Sequence, residues 1–217
     1  MSSTAEISYN PPIGALAARI RSLASANDGR IILGIAGSPG SGKSTLARSL
    51  ATQVGAIAVA VPMDGFHLAN ISLTALGRRN RKGAVDTFDA WGYVALLNRI
   101  LQERAHEVYA PSFDRAIGEP IAAEVVIKPD HKVIITEGNY LLLDAAPWNR
   151  ISTLTREIWF CEAPAEERRH RLIQRHQQHG RTLAEATSWA DQVDAANAEV
   201  IQATRERADL IVHTASV

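Results

Sequence analysis

Nine residues near the first quarter of the chain have the types and spacing to bind phosphate. Gly37-Ser38-Pro39-Gly40-Ser41-Gly42-Lys43-Ser44-Thr45 fits G-x-x-x-x-G-K-[ST]. Glycines at 37, 40 and 42 let the backbone curl and turn successive N–H groups inward, making a concave anion site at a helix N-terminus. Lys43 would reach the β- and γ-phosphates, and the Ser44 hydroxyl would ligate Mg²⁺. At average residue frequencies the pattern arises by chance in roughly one chain in a hundred of this length. The whole run from Gly37 to Thr45 is therefore expected to bind nucleotide phosphate.

Two carboxylates could complete such a site. Asp64 follows Val61-Pro62-Met63 and precedes Gly65-Phe66; it could accept a proton from a substrate hydroxyl, or simply cap a helix that begins near Phe66. Glu137 ends the apolar run Val133-Ile134-Ile135-Thr136. Many NTPases carry an aspartate there that helps hold Mg²⁺, and an ordinary strand-end carboxylate is the plainer alternative. The residues alone do not decide which of the two is the base. Arg168, Arg171 and Arg175 recur at i, i+3 and i+7 and share one helix face. With Arg169 and Arg181 they suit a lid over 164–182 that offsets phosphate charge, Arg171 and Arg175 foremost, although charged faces are often only solvated. Arg78 to Lys82, four cations in five residues, could steer an anionic substrate or be surface. His67, Lys82, Tyr109, Phe113, Arg115 and Tyr140 are the candidate acceptor-binding residues. The seven histidines and single cysteine show no zinc-like spacing.

Apolar patterning supplies the elements that would position these groups. Arg30 to Ala36 reads as a buried strand leading into the glycine loop, and Ser44 to Gln53 as the helix after it. Further strands are expected at 56–61, 132–136, 157–161 and 208–212, and a hairpin of 107–111 with 124–127 around a loop at 112–120. Helices are expected at 13–23, 91–101, 164–178 and within 182–206, with Asp89 as a cap. Strands alternating with helices give an α/β fold with a mainly parallel sheet, and ligands in such sheets sit at the carboxyl ends of the strands. The glycine loop, Asp64 and Glu137 all fall there. At 217 residues one domain over 1–217 is expected, with a loose polar arm at 1–12. Lysine plus arginine equals aspartate plus glutamate at 23 each, which gives no support to a nucleic-acid partner. Cys161 stands alone, so no intrachain disulfide forms. No apolar run approaches membrane-spanning length and no signal peptide is recognisable, so a cytoplasmic location is expected. A homodimer is compatible with the sequence.

Taken in order, these segments resemble the P-loop kinase family that contains phosphoribulokinase, uridine kinase and bacterial pantothenate kinase. The resemblance spans roughly residues 30–213. It rests on the glycine loop, Asp64-Gly65-Phe66, Lys82-Gly83 through Phe88-Asp89, Tyr109-Ala110-Pro111 through Asp114, Glu137-Gly138-Asn139-Tyr140 and the arginine helix. It implies a three-layer fold whose five-stranded parallel core has the loop strand at its centre, an ATP–Mg²⁺ donor, an arginine lid, and Asp64 as catalytic base. Asp64-Gly65-Phe66 is nearest the pantothenate kinases, whereas the chain length and the spacing through the lid are nearer the uridine kinases. The lid departs from the latter at His176-Gln177-Gln178-His179. The acceptor residues match neither branch, and a sugar-like alcohol remains open.

Two functions of different class follow. One is a small-molecule kinase acting on an alcohol of a pantothenate-, nucleoside- or sugar-like metabolite. The other is a nucleotide-hydrolysing switch acting through a protein partner. Guanine reading would call for Asn-Lys-x-Asp, and Ile127-Lys128-Pro129-Asp130 lacks the asparagine.

Overall fold

A computed structural model describes residues 12–214; the expected polar arm, apart from Pro12, lies outside the described residues. Five strands form one parallel sheet in the order β2 (Ala58–Pro62), β5 (Val133–Glu137), β1 (Ile31–Ala36), β6 (Glu157–Glu162), β7 (Leu210–His213). The loop strand β1 is central, and all six of its residues are buried.

The period of two along each strand divides the core. Ile31, Leu33 and Ile35 of β1, Val133 and Ile135 of β5, and Trp159 and Cys161 of β6 face α1 (Ile13–Ser25) and α2 (Lys43–Val54). Those helices answer with Leu16, Ile20, Leu46 and Leu50. Ile32, Ile134, Ile158, Phe160 and Ile211 point the other way, toward α4 (Ala90–Gln102) and α5 (Ile151–Leu154). A strand buried on both faces cannot alternate apolar with polar, which is why these runs are continuous. Each large aliphatic side chain so enclosed contributes about 1.5–3 kcal/mol. The Asp89 carboxylate caps α4 by accepting from the Gly92 N–H.

The hairpin is longer than its apolar runs imply. β3 (Val108–Asp114) pairs antiparallel with β4 (Glu119–Ile127), so most of the expected 112–120 loop is strand and the turn shrinks to residues 115–118. Ser112↔Ile121 and Phe113↔Pro120 continue the ladder past a bulge after Ala110. Polar alternation on a ribbon packed on one face disguises it as loop. At the other end, α6 (Ala165–Gln178) is followed by α7 (Leu183–Trp189), a π turn (Ala190–Asp194) and α8 (Ala195–Gln202). A short α3 (Asn70–Ala75) lies between β2 and α4. No helix among the described residues is long and apolar enough to cross a membrane.

Candidate active site

Strand register brings the candidate groups together. Ile35 of β1 and Pro62 of β2 both lie opposite Glu137 of β5. The glycine loop leaves β1 at Ala36, and Asp64 follows β2 in a 3-10 turn (Met63–Phe66). Three neighbouring strands thus deliver the loop, Glu137 and Asp64 to one edge.

Local packing explains the sequence around Asp64. A Cβ on Gly65 would collide with the Pro111 carbonyl of β3, and one on Gly138 would enter the Met63 side chain. Leu68 N–H donates to Thr87 O and Asp89 N–H to Phe66 O. The segment 86–89 is therefore a clip that holds the Asp64 turn, while β3 presses on it from the other side.

The loop fits a nucleotide's phosphates. Gly37, Gly40 and Gly42 all have positive φ. A Cβ on Gly40 would stand 2.7 Å from the Arg168 carbonyl. Helix α2 starts with no side-chain cap, so its N–H groups stay free for an anion. The Ser38 and Ser41 hydroxyls are buried without a hydrogen-bond partner, and Lys43, also buried, donates to Ser38 O at 3.0 Å. Burial pulls the Lys43 ammonium below its ordinary value against the opposing charges of Glu137, Cys161 and Asp64. Polar groups so enclosed call for a multiply charged acceptor-rich ligand. The Ser44 hydroxyl donates to Glu137 Oε1 at 2.9 Å, an oxygen pair of the kind Mg²⁺ prefers. Beyond such oxygen donors, no cluster of three or more His, Cys, Asp or Glu suited to a metal occurs among the described residues.

The two carboxylates are set apart by their surroundings. Burial lifts Glu137 above the ordinary carboxylate range, and the charge of Asp64 adds to the lift. Burial would lift Asp64 too, but the cationic groups around it, His67, Arg115, Lys43 and Arg175, outweigh it and hold Asp64 low. Arg115 Nη2 donates to Asp64 Oδ2 at 2.9 Å. His67 is itself pushed down to about 4 by burial, so at neutral pH Asp64 is held by the arginines and Lys43.

Asp64, Glu137, Lys43 and Ser44 line a polar cleft of about 380 Å³ together with His67, Lys82, Phe113, Arg115 and Arg175. His67 packs between Phe88 and Phe113 at centroid distances of 4.0 and 4.7 Å, with Nδ1 on Asp64 O. The Lys82 ammonium is engaged by Asn70 Oδ1 at 2.8 Å and Gly118 O at 2.6 Å, so it anchors the hairpin turn that carries Arg115. Arg171 holds the loop from a second hollow of about 230 Å³, donating to Gly40 O at 3.3 Å and Glu167 at 2.9 Å. Thr45 borders that hollow as well.

Two expected acceptor residues are not brought to the cleft. Tyr109 is exposed on β3 and its hydroxyl donates to Glu107, because β3 turns alternate side chains away from the site. Tyr140 is buried in the aromatic group of Phe88 and Trp148, and its hydroxyl donates to Gly83 O at 2.6 Å. It braces the chain after Lys82. Conversely, Trp189, Asp194 and Asn197 line the cleft with no sequence signal, and Asn139 and His176, which the motifs contain without a site role, line it as well. The π turn shifts Asp194 and Asn197 relative to Trp189, so a 3.6-residue period does not group them.

Comparison with known proteins agrees with this geometry. The model of the Phosphoribulokinase / Uridine kinase family matches residues 32–217. A Schizosaccharomyces pombe protein named "Putative uridine kinase" is 35% identical over 197 residues, covering 84% of this chain and 83% of its own. The crystal structure of a "putative fructose transport system kinase" from Silicibacter sp. TM1040 superimposes with a TM-score of 0.85 at 38% identity, covering 93% of this chain and 98% of that one. YFH7 of Saccharomyces cerevisiae shares the fold, with a TM-score of 0.81 at 19% identity over 95% of this chain and 100% of its own. With the five-stranded sheet, the glycine loop and the strand-end carboxylates in place, the chain belongs to the Phosphoribulokinase / Uridine kinase family and is a P-loop kinase.

Proposed function

We propose that the chain is an ATP- and Mg²⁺-dependent kinase that transfers the γ-phosphoryl group to an alcohol of a small metabolite. One observation carries the reading: the register of β1, β5 and β2 sets the phosphate loop, Glu137 and Asp64 side by side at the mouth of one polar cleft. A cleft of about 380 Å³ lies at the small end of the range for metabolite sites.

The residues divide the work as follows. The loop N–H groups, Lys43 and the Ser38 and Ser41 hydroxyls hold the donor's phosphates. Ser44 and Glu137 would hold Mg²⁺, which when bound spreads positive charge over the β- and γ-oxygens. A neighbouring hollow of about 560 Å³, bordered by Pro164, Arg168, His213 and Thr214, is the place for the nucleotide's base. It joins the loop through the Thr214 hydroxyl, which donates to Ser41 O at 2.6 Å.

Asp64 orients the acceptor hydroxyl. Its oxygen forms a bond to the γ-phosphorus, the bond to the bridging oxygen of ADP breaks, and the hydroxyl proton passes to Asp64. A carboxylate held at low pKa takes little proton from a resting alcohol. In a loose transition state the hydroxyl becomes acidic only as the new bond forms, so orientation comes first and proton acceptance late. The Arg175 guanidinium, which lies within electrostatic range of Asp64 and Glu137, offsets the charge spread over the transferred group.

The test is ATP consumption with Mg²⁺ in the presence and absence of a panel of small alcohols, with product identified by mass. Stimulation by one alcohol and formation of its phosphate ester are expected. Stimulation only by a protein partner would replace the kinase reading with a nucleotide switch.

A further inference from the structure

The cleft also contains cations that the proposed phosphoryl transfer does not use. Arg79 lies in a 3-10 turn (Arg79–Arg81), and Arg181 follows α6; both line the cleft. Arg181 is stacked on the Trp189 ring, 3.7 Å from its centroid. Its Nη1 is sealed from solvent with no hydrogen-bond acceptor. A charged donor left in that condition is costly, and a structure that keeps one calls for a missing partner.

The surrounding groups do not supply it. Asp194 accepts from His176 Nε2 at 2.7 Å, and Lys82 is taken by Asn70, Gly118 and Glu119. Neither Arg79 nor Arg181 forms an ion pair with a carboxylate among the described residues. They also repel each other: burial lowers the Arg181 pKa first, Asp194 opposes, Arg79 lowers it further, and Glu185 opposes as the last contribution. Two planar guanidinium groups lining one cleft, neither hydrogen-bonded to a carboxylate among the described residues, match the chemistry of a carboxylate or phosphate. A neutral acceptor would leave the sealed Arg181 donor unpaired, which selects against it.

We propose that the acceptor is an alcohol carrying an anionic group, carboxylate or phosphate, which Arg79 and Arg181 bind in the cleft that Asp64 also lines. This rests on the kinase reading for the word acceptor, while the anion site itself is tested without turnover.

The experiment fills the phosphate loop with Mg²⁺ and a non-hydrolysable ATP analogue, then titrates inorganic phosphate or acetate. Binding is followed by calorimetry and by Trp189 fluorescence. A saturable signal is expected, weakened about tenfold or more in Arg79→Gln and in Arg181→Gln and, in fluorescence, lost in Trp189→Phe. Arg79 is exposed, so Arg79→Gln should not disturb folding. The ion that binds at lower concentration assigns the group the acceptor carries. No saturable binding to the loaded protein, or affinity unchanged from the native protein in both arginine variants, would overturn the proposal. Failure of every alcohol to yield a phosphate ester would instead count against the kinase reading and leave the binding result standing.

Discussion

Replacing Glu137 with glutamine should move activity and stability in a linked, pH-dependent way. Glu137 is buried at the end of β5 and accepts from Ser44 at 2.9 Å. Burial raises its carboxyl above the ordinary value of 4.5, the charge of Asp64 adds to this, and Lys43 and Ser44 oppose. The native state therefore holds the Glu137 proton more tightly than the unfolded chain does. Its contribution to stability is most favourable below pH 4.5 and declines as pH rises toward the folded-state value, beyond which the loss is constant. Glutamine does not titrate. Without nucleotide, the Tm of Glu137→Gln minus that of the native protein should grow from pH 4.5 upward and then level off. Each unit of upward displacement corresponds to about 1.4 kcal/mol, or roughly 3–6 °C for a chain of this size. Activity should go the other way, with kcat/KM at limiting Mg²⁺ falling by about 10–100-fold. A Tm difference that is flat or shrinks with rising pH would refute the electrostatic reasoning. An unchanged Mg²⁺ dependence would remove Glu137 from the metal site.

Other substitutions probe the loop, the base and the hairpin. Gly40→Ala sets a side chain at φ +77° and 2.7 Å from the Arg168 carbonyl. It should add about 1–2 kcal/mol of strain and weaken ATP binding, read by nucleotide-dependent Tm. Gly77→Ala, at φ +66° with open space around it, should show similar strain and unaltered ATP binding. Arg115→Gln removes the partner of Asp64; the pair is partly exposed, so stability should change by less than about 1 kcal/mol. Asp64 should then titrate higher, moving the acid limb of the kcat/KM profile upward unless Glu137 already sets it; a limb that moves down would contradict the pairing. Lys82→Met frees Asn70 and Gly118, should lower stability by about 1–3 kcal/mol, and should raise the acceptor KM as the hairpin turn loosens.

The segments proposed to hold the donor are legible in sequence because each has a local signature. Loop strand, glycine loop and helix are contiguous, and the apolar runs that end at Val61 and Thr136 announce the strand ends that carry Asp64 and Glu137. The order of strands and the central place of β1 came from family resemblance, since pairing between distant segments leaves little trace in local pattern. The acceptor half was less legible because it is assembled from separated pieces. Arg115 reaches Asp64 only because the ladder runs on to Asp114↔Glu119, and the polar sequence there reads as loop. Tyr140 looks like a site residue beside Glu137, yet strand-end geometry sends it into the core. Lys82 lines the cleft, but its charge is committed to Asn70, Gly118 O and the Glu119 carboxylate. The π turn hides Asp194 and Asn197 from any helical period.

The proposed function rests most directly on Asp64, and Asp64→Asn tests it. Asparagine keeps the volume of aspartate and an acceptor oxygen for Arg115, while the proton acceptor is lost. Mg-ATP affinity, measured by calorimetry, should stay within about threefold of the native value, because the phosphate loop is untouched. Turnover with the stimulating alcohol should fall by roughly 10²–10⁴. Full turnover in the variant, with ATP binding intact, would contradict the account.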